Sequence, residues 1–340
     1  MMKPILLPIV GGLALLTALC GCATDRQVIS QARSTNSELA PAIMTDPELT
    51  AYMQEIGGRI VEAAMAADAA RQGPKTHFSS EDNTWMFERG QFHLVNSTTL
   101  NAFTTGGEHF YIYSELLEQC RSEDELAAVM AHEYAHVYGR HVQKGMNRQT
   151  LAMGLSAGAG LAGLALGGEE NGKQYSELAA VSTATAISFL DLGYTRDDEA
   201  EADEWGFYFY ARAGWDPEHF ADFFQQLIDQ GLDSTPEVTS DHPSLASRVE
   251  HAKQLASALP PQAASWRRPP VANAQGYDAI RHRAFMIAKT MPINDPVGVA
   301  QTLLAAVPSC LLPVDPPEQR DARQRLNVAV QNASAQTGSN

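Results

Sequence analysis

The string His132-Glu133-Tyr134-Ala135-His136 is the part of this chain best suited to chemistry. Its two histidines are four residues apart, so on a helix both imidazoles leave the same face and can bind one cation. Glu133 follows the first histidine and is not needed as a ligand. Its carboxylate can take a proton from a water molecule that zinc activates. The string therefore predicts a hydrolytic zinc site with Glu133 as general base.

The residues on either side predict that this string lies on a buried helix. Ser122 is followed three residues later by Glu125, the capping-box pattern that begins a helix. Apolar side chains then recur at helical spacing, at Leu126, Val129, Met130 and Val137. We therefore expect one buried helix to carry both histidines.

A catalytic zinc ion needs a third protein ligand, and His141 is the nearest candidate. The pattern H-E-x-x-H-x-x-G-x-x-H needs two residues between its glycine and its last histidine, but only Arg140 separates Gly139 from His141. On a regular helix His141 would point about 100° away from the required direction. We therefore expect His141 either to contact a ligand residue without binding the metal itself, or to lie at the surface.

An acidic run from Tyr194 to Asp203 offers the second candidate, on a long helix predicted from 176 to 213. Glu199 and Asp203 are i and i+4 on one helix face. Glu199 can complete the zinc site, while Asp203 can accept a hydrogen bond from the free nitrogen of a ligand histidine and orient its ring. The alternative is a solvated acidic helix face.

A resemblance favours the zinc site. The H-E-x-x-H string followed by Arg196, Glu199, Ala202 and Asp203 in the pattern R-x-x-E-x-x-A-D resembles the gluzincin metallopeptidases of the HtpX and CAAX prenyl protease type, in their periplasmic lipoprotein branch (BepA/LoiP-like). Asn101, Ala102 and Phe103, with Gly106-Gly107 and Phe110 to Tyr113, look like that family's strand entering the active site. The resemblance implies that Glu199, and not Glu201, is the third ligand of one Zn²⁺ per chain.

Asp241-His242-Pro243-Ser244 with Arg248 is also similar to the family's H-P-x-x-x-x-R segment. The resemblance implies that His242 can approach the metal. One hypothesis places His242 in the fourth zinc position at rest, where it blocks the catalytic water. The alternative makes it a helix-capping or transition-state-stabilising histidine. Arg248 or His242 is then the candidate that stabilises the oxyanion.

The first residues predict export and a lipid anchor. An apolar run over 1–21 is typical of a secretory signal, and Leu19-Cys20-Gly21-Cys22 resembles a bacterial lipobox with cleavage before Cys22. Residue 23 is alanine rather than aspartate, which by resemblance to bacterial lipoproteins indicates the outer membrane. The alternative is an ordinary signal peptide that is cut elsewhere. Cys120 and Cys310 can form a disulfide in an oxidising compartment, or can remain two buried free thiols.

The fold expected from the resemblance is α+β and mainly helical: a zincin-like metallopeptidase core with a small antiparallel sheet and an active-site helix, plus a short helical C-terminal tail. The strand at Asn101, Ala102 and Phe103 is a candidate edge for adding an extended substrate.

The apolar segment 151–166 is too short to span a bilayer and is predicted as a packed helix or a lid near the membrane. The predicted segments are the signal peptide (1–21), a lipidated tether (22–45), the metallopeptidase domain (46–258), a Pro-rich linker (259–273), a helical region (274–333) and a disordered tail (334–340).

The charge and the motifs together predict the function. A formal charge of −16 over 340 residues argues against nucleic acid as a partner, because phosphate binding needs clustered Lys and Arg. We expect a zinc endopeptidase, anchored on the periplasmic face of the outer membrane, that degrades unfolded or misassembled envelope proteins. Outer-membrane assembly machinery is a further candidate partner. The alternative function is a zinc-containing assembly factor or chaperone with latent proteolysis.

Overall fold

The protein is described by a computed structural model, which covers residues 24–74, 83–88, 90–98, 100–148, 194–232, 244–292 and 299. Several predictions concern residues outside these ranges: Cys22 and the signal peptide, the apolar segment 151–166, His242, Cys310 and the disordered tail. Those predictions stay predictions.

The described chain is mainly helical and contains one small sheet, as expected. The helices that lie wholly within the described residues are α1 Asp25–Leu39, α2 Pro47–Ala70, α3 Thr84–Glu88, α4 Ser114–Gln119, α5 Glu123–Tyr138, α6 Arg196–Ala213, α7 Asp222–Asp229, α8 Leu245–Ser257 and α9 Ala274–Thr290. Its strands are β1 Gln91–Val95, β2 Ala102–Thr104 and β3 His109–Tyr113. Short 3-10 turns lie at Ala40–Ala42, Pro217–His219 and Pro261–Trp266.

The sheet is mixed rather than purely antiparallel. Its strand order is β1-β3-β2, in which β2 pairs antiparallel with β3 and β1 pairs parallel with β3. All five residues of β3 are buried, which is typical of a central strand that is covered on both faces. Strand β3 lies between β1 and β2. The two strands that are consecutive in the sequence, β1 and β2, therefore do not pair with each other.

Helix α5 lies at the centre of the molecule. All of its residues except Asp124 are buried, because α6, α2 and the sheet surround it. Ser122 begins the helix as predicted: its hydroxyl accepts a hydrogen bond from the Glu125 amide at 3.2 Å. The Glu125 carboxylate reaches back to the Arg121 amide, at 2.6 Å, instead of the Ser122 amide.

The predicted tether is a helix that docks on the molecule. Val28, Ala32 and Leu39 of α1 are fully buried. The tether prediction rested on the polar composition of this segment, but its few apolar side chains share one face, which packs over the sheet. Arg33 of α1 forms an ion pair with Glu108 at 2.8 Å, next to β3.

The predicted Pro-rich linker is also docked, together with α9. The Glu123 carboxylate, at the start of α5, accepts hydrogen bonds from the backbone amides of Val271 and Ala272 at 2.6 and 2.7 Å. Helix α9 follows directly, and its Arg283 forms an ion pair with Asp46 at 2.7 Å. Contacts therefore cross the boundaries predicted at 46 and 258, and the domain division itself stays a prediction. Among the described helices, none has the length and apolar character needed to cross a bilayer.

Candidate metal centre

The structure brings the three predicted ligands together in one buried site. His132 and His136 project from the same face of α5, and their Nε2 atoms are 3.0 Å apart. Glu199 of α6 faces both rings, with carboxylate oxygens 3.5 Å from the His132 Nε2 and 3.7 Å from the His136 Nε2. Within the described residues, these three form the only cluster of His, Cys, Asp or Glu side chains whose ligand atoms all lie within 4.8 Å of one another.

Two features of α6 place Glu199 opposite the histidines. The helix begins at Arg196, because Thr195 forms a capping box with Asp198. The helix that carries Glu199 therefore does not run continuously from 176 to 213 as predicted. Glu199 therefore lies in the first turn. Further along, Gly206 lies against the backbone of His132, where an added Cβ would be 2.9 Å from the His132 Cα. This glycine lets α6 approach α5 closely enough for a carboxylate to reach both imidazoles.

Asp203 supports His132, as predicted. Its Oδ1 lies 2.9 Å from the His132 Nδ1, one helical turn beyond Glu199. Burial alone lowers the pKa of His132, but the hydrogen bonds to Asp203 and Glu199 outweigh it and raise that pKa to about 9. Burial would raise the pKa of Asp203, but the neighbouring Arg248 and His132 hold it below its usual value. The carboxylates thus favour positive charge at this point of the site.

Arg248 of α8 lies behind the ligands. Its guanidinium donates two hydrogen bonds to Asp203, at 2.8 and 2.6 Å, and stacks over the Phe224 ring at 4.0 Å. A third nitrogen lies 3.9 Å from Glu199. These contacts favour a role in holding Asp203 and Glu199, while the predicted oxyanion role stays a prediction.

His136 is supported differently. Its Nδ1 lies 2.8 Å from the Nδ1 of His141, and the Nε2 of His141 lies 3.2 Å from Glu201. His141 is fully buried, so the surface alternative is wrong, and its contact with His136 agrees with the expectation of a supporting residue. Lys144 pairs with the same Glu201 oxygen at 2.7 Å. Burial would raise the pKa of Glu201, but hydrogen bonds from His141 and Lys144 lower it to about 2.

Sequence reasoning gave no role to three residues around His136. Tyr194 stacks its ring on that of His136, with centroids 3.9 Å apart. Glu201 supports His141, and Arg140 adopts the left-handed conformation, with φ 54°, between α5 and His141. No spacing rule in the sequence would have found them, because each acts through a contact between distant elements or through a local departure from helical geometry.

The predicted base lies beside the ligands, and the candidate edge strand packs against the helix that carries two of them. Glu133 is fully buried on α5, next to His132. The strand β2 is at an edge of the sheet and packs against α5. Asn101, Ala102 and Phe103 are buried, and the Phe103 ring stacks on Tyr111 of β3 with centroids 4.7 Å apart. The proposed substrate role of this strand stays a prediction.

The donor set fits a zinc ion. When Nδ1 of each ligand histidine donates a hydrogen bond, to Asp203 or to His141, each Nε2 presents a lone pair. The two lone pairs and the Glu199 carboxylate then converge on one point. Two histidines with one glutamate are a common ligand set of catalytic zinc, which keeps a further position open.

Cys120 lies elsewhere, at the end of α4. It is fully buried and is not bonded to another described cysteine, and burial raises the pKa of its thiol well above the usual value. Its predicted partner, Cys310, lies outside the described residues, so the disulfide stays a prediction.

Several known proteins are similar to this chain. The beta-barrel assembly-enhancing proteases of Yersinia pestis and Escherichia coli K12 are 31% and 29% identical over 70% and 64% of this chain, which covers 43% and 41% of their lengths. Metalloprotease LoiP of Escherichia coli K12 is 29% identical over 47% of this chain and 60% of its own length. The chain thus spans about two fifths of the length of the assembly-enhancing proteases.

The model of peptidase family M48 matches residues 78–256, just over half of the 340 residues. The matched segment contains both histidines of α5 and the glutamate of α6. This match agrees with the resemblance drawn from the motifs, and because M48 is a family of zinc-dependent peptidases, zinc is the metal that fits the three side chains. The chain belongs to peptidase family M48.

Proposed function

We propose that this protein is a zinc endopeptidase of the bacterial envelope, anchored to the outer membrane, that cleaves unfolded or misassembled envelope proteins. The observation that carries the chemistry is the convergence of His132, His136 and Glu199 in one buried site, with Glu133 beside them. The names of the relatives, which include proteases that enhance β-barrel assembly, support the choice of envelope substrates.

The chain's own residues account for the hydrolytic steps. Zinc held by the three ligands supplies Lewis acidity toward water and the scissile carbonyl. Glu133 accepts a proton from the attacking water and passes it to the leaving amine as the C–N bond breaks. Its full burial keeps the carboxylate out of bulk water, where the proton would be lost to solvent. Asp203 holds the ring of His132 in place.

The substrate would bind as an added strand. Helix α5 lies against β2, so a polypeptide extended along this edge of the sheet would pass near the ligands. The added strand would form backbone hydrogen bonds with β2 once this edge is accessible, because Asn101, Ala102 and Phe103 are buried as whole residues in the structure. Such binding tolerates many sequences, which suits a protease that removes unfolded proteins.

Anchoring at Cys22 would hold the catalytic domain close to the membrane. Helix α1 begins at Asp25, three residues after Cys22, and its Asp25 carboxylate accepts a hydrogen bond from Arg140 at the end of α5. A lipid on Cys22 would therefore attach almost directly to the folded domain, with no long tether between them. The substrates within reach are then proteins at the membrane surface.

A comparison of the wild type with Glu133→Gln tests the enzyme. The purified proteins without the signal peptide are incubated with casein and with an unfolded outer-membrane protein, and zinc is measured by elemental analysis. We expect one zinc ion per chain in both proteins and cleavage by the wild type alone. Equal cleavage by the variant would remove Glu133 from the mechanism, and a wild type without zinc would overturn the site.

The second candidate function is an assembly factor or chaperone whose proteolysis is secondary. The words "assembly-enhancing" in the names of the relatives favour it. A strain that lacks this protein distinguishes the two functions when it is supplied with either the wild type or Glu133→Gln. If envelope defects are corrected only by the wild type, proteolysis is the function. If both correct them equally, assembly is the function.

A further inference from the structure

The two ligand histidines receive different support, and the difference points to a further role. The Nδ1 of His132 meets a carboxylate directly, that of Asp203, at 2.9 Å. The Nδ1 of His136 instead meets a second imidazole, that of His141, at 2.8 Å. A carboxylate comes only after it, because the other ring nitrogen of His141 lies 3.2 Å from Glu201. Both ligands are thus linked to a carboxylate, one directly and one through a histidine.

Zinc binding allows only one arrangement of protons along this chain of contacts. A histidine that gives its Nε2 lone pair to a metal carries its proton on Nδ1. His136 therefore donates to the Nδ1 of His141, which must accept. The proton of His141 is then on Nε2, from which it is donated to Glu201. Glu201 also accepts a hydrogen bond from Lys144 at 2.7 Å, which balances its negative charge.

Three local features place His141 in this position. Gly139 leaves room for the ring, because a Cβ at that residue would lie 2.3 Å from the His141 Nε2. Arg140 turns the chain back through the left-handed region, with φ 54°, which L residues adopt rarely. The guanidinium of Arg140 is held by Asp25 of α1 and by Asn83, at 3.0 and 2.8 Å. An imidazole that only filled space would not need this arrangement.

We propose that His141 and Glu201 are positioning residues that orient the His136 ring, fix its tautomer and increase its basicity toward zinc. The inference rests on the proposed zinc chemistry and extends it to residues outside the metal-binding motifs. His141 touches neither zinc nor substrate and acts through His136. The competing explanation is that His141 is a core side chain whose polarity is satisfied incidentally.

Three variants separate these explanations. In His141→Gln the amide oxygen can accept a hydrogen bond from His136 while the amide nitrogen donates one to Glu201. Both hydrogen bonds therefore keep their direction. In His141→Leu the volume is largely kept and the hydrogen bonds are lost. His251→Leu is the matched control, because His251 of α8 faces Glu204 of α6 at 3.6 Å without contacting a ligand.

The primary measurement is the rate at which the zinc-loaded full chain releases its metal to an excess of a chromogenic chelator. We expect His141→Leu to release zinc about 10- to 100-fold faster than the wild type, the usual effect of losing such a support. His141→Gln should recover most of the slow rate, and His251→Leu should match the wild type. The visible spectrum of the cobalt-substituted protein should change in His141→Leu and stay close to the wild type in His141→Gln.

The Tm of the zinc-free proteins distinguishes positioning from packing. Positioning predicts similar zinc-free Tm values for all variants and a smaller increase in Tm on adding zinc for His141→Leu alone. A wild-type rate of zinc release in His141→Leu would overturn the inference. It would also be overturned if both His141 variants had a low zinc-free Tm and His141→Gln did not restore slow zinc release. These outcomes concern the inference alone, since a wild type that holds one zinc ion leaves the proposed function intact.

Discussion

At the scale of single residues, the environment of each histidine decides what it can do. The Asp203 and Glu199 carboxylates surround His132, so positive charge is favoured there. A histidine pair on the sheet has a different environment. His93 of β1 and His109 of β3 lie 2.9 Å apart, nitrogen to nitrogen, on the sheet face that α1 covers. Burial, with a smaller effect from His109, lowers the pKa of His93 to about 4.

The His93 pair predicts a loss of stability in mild acid. In the unfolded chain a histidine binds a proton near pH 6.5, whereas folded His93 does so only near pH 4. As pH falls from about 6.5 to about 4, the unfolded state gains protons that the folded state does not, so the free energy of unfolding decreases. Above pH 6.5 His93 contributes no pH dependence.

We expect the Tm of His93→Gln to fall less than that of the wild type between pH 6.5 and pH 4. The measurement is thermal unfolding of both proteins across this range, where any loss of zinc affects both alike. His282→Gln is the control, because His282 is an exposed residue of α9. Parallel curves for the wild type and His93→Gln would contradict the prediction.

At the scale of elements, the site depends on how closely α6 approaches α5. Glu199 reaches the histidines across this helix pair, and Gly206 is the point of closest approach. An added Cβ would lie 2.9 Å from the His132 Cα and 3.0 Å from its nitrogen. These are backbone atoms of a buried helix, which cannot move aside as a flexible side chain would.

Gly206→Ala is therefore expected to push α6 away from α5 and to weaken zinc binding. Alanine improves helix propensity by about 1 kcal/mol, but overpacking in a tight core costs about 1–3 kcal/mol. The net effect should be an unfolding free energy equal to or below that of the wild type, together with faster zinc release. Urea unfolding and chelator competition measure the two effects.

Gly58→Ala is the matched control. Gly58 is an exposed glycine of α2, and a Cβ there would meet nothing within 4 Å. Its unfolding free energy should rise by about 0.5–1 kcal/mol, with no change in zinc release. If Gly206→Ala behaves in the same way as Gly58→Ala, the close approach of the two helices is not what limits the site.

At the scale of the whole molecule, segments distant in sequence close around the zinc helix. Its first residue, Glu123, is buried and accepts four hydrogen bonds. The donors are the Tyr52 hydroxyl, the Trp215 indole and the amides of Val271 and Ala272. One carboxylate thus ties α2, the chain after α6 and the segment before α9 to the start of α5.

Glu123→Ala should lower the free energy of unfolding by about 3–5 kcal/mol, because several buried donors lose their acceptor together. Urea unfolding followed by circular dichroism measures this change. Glu118→Ala is the control on α4, where the exposed side chain should contribute less than about 0.5 kcal/mol. Equal stabilities for the two variants would show that the segment before α9 is not held by Glu123.

The sequence by itself determined the chemistry of this protein. His132, Glu133 and His136 were predictable because helical periodicity alone places the two ligands on one face, with the base next to the first. Glu199 and Asp203 followed from the same periodicity once the family resemblance separated Glu199 from Glu201. The mainly helical fold and the start of α5 at Ser122 were predictable for similar reasons, since apolar spacing and capping are local signals.

Only the tertiary structure decided how these residues are held. His141 looked misplaced by one residue because regular helix geometry was assumed, whereas Arg140 leaves that geometry and turns the ring back to His136. The polar composition of α1 suggested a tether, but the aligned apolar side chains on one of its faces pack over the sheet. Each of these outcomes depends on a contact between segments far apart in the chain, and local sequence patterns carry no information about such contacts.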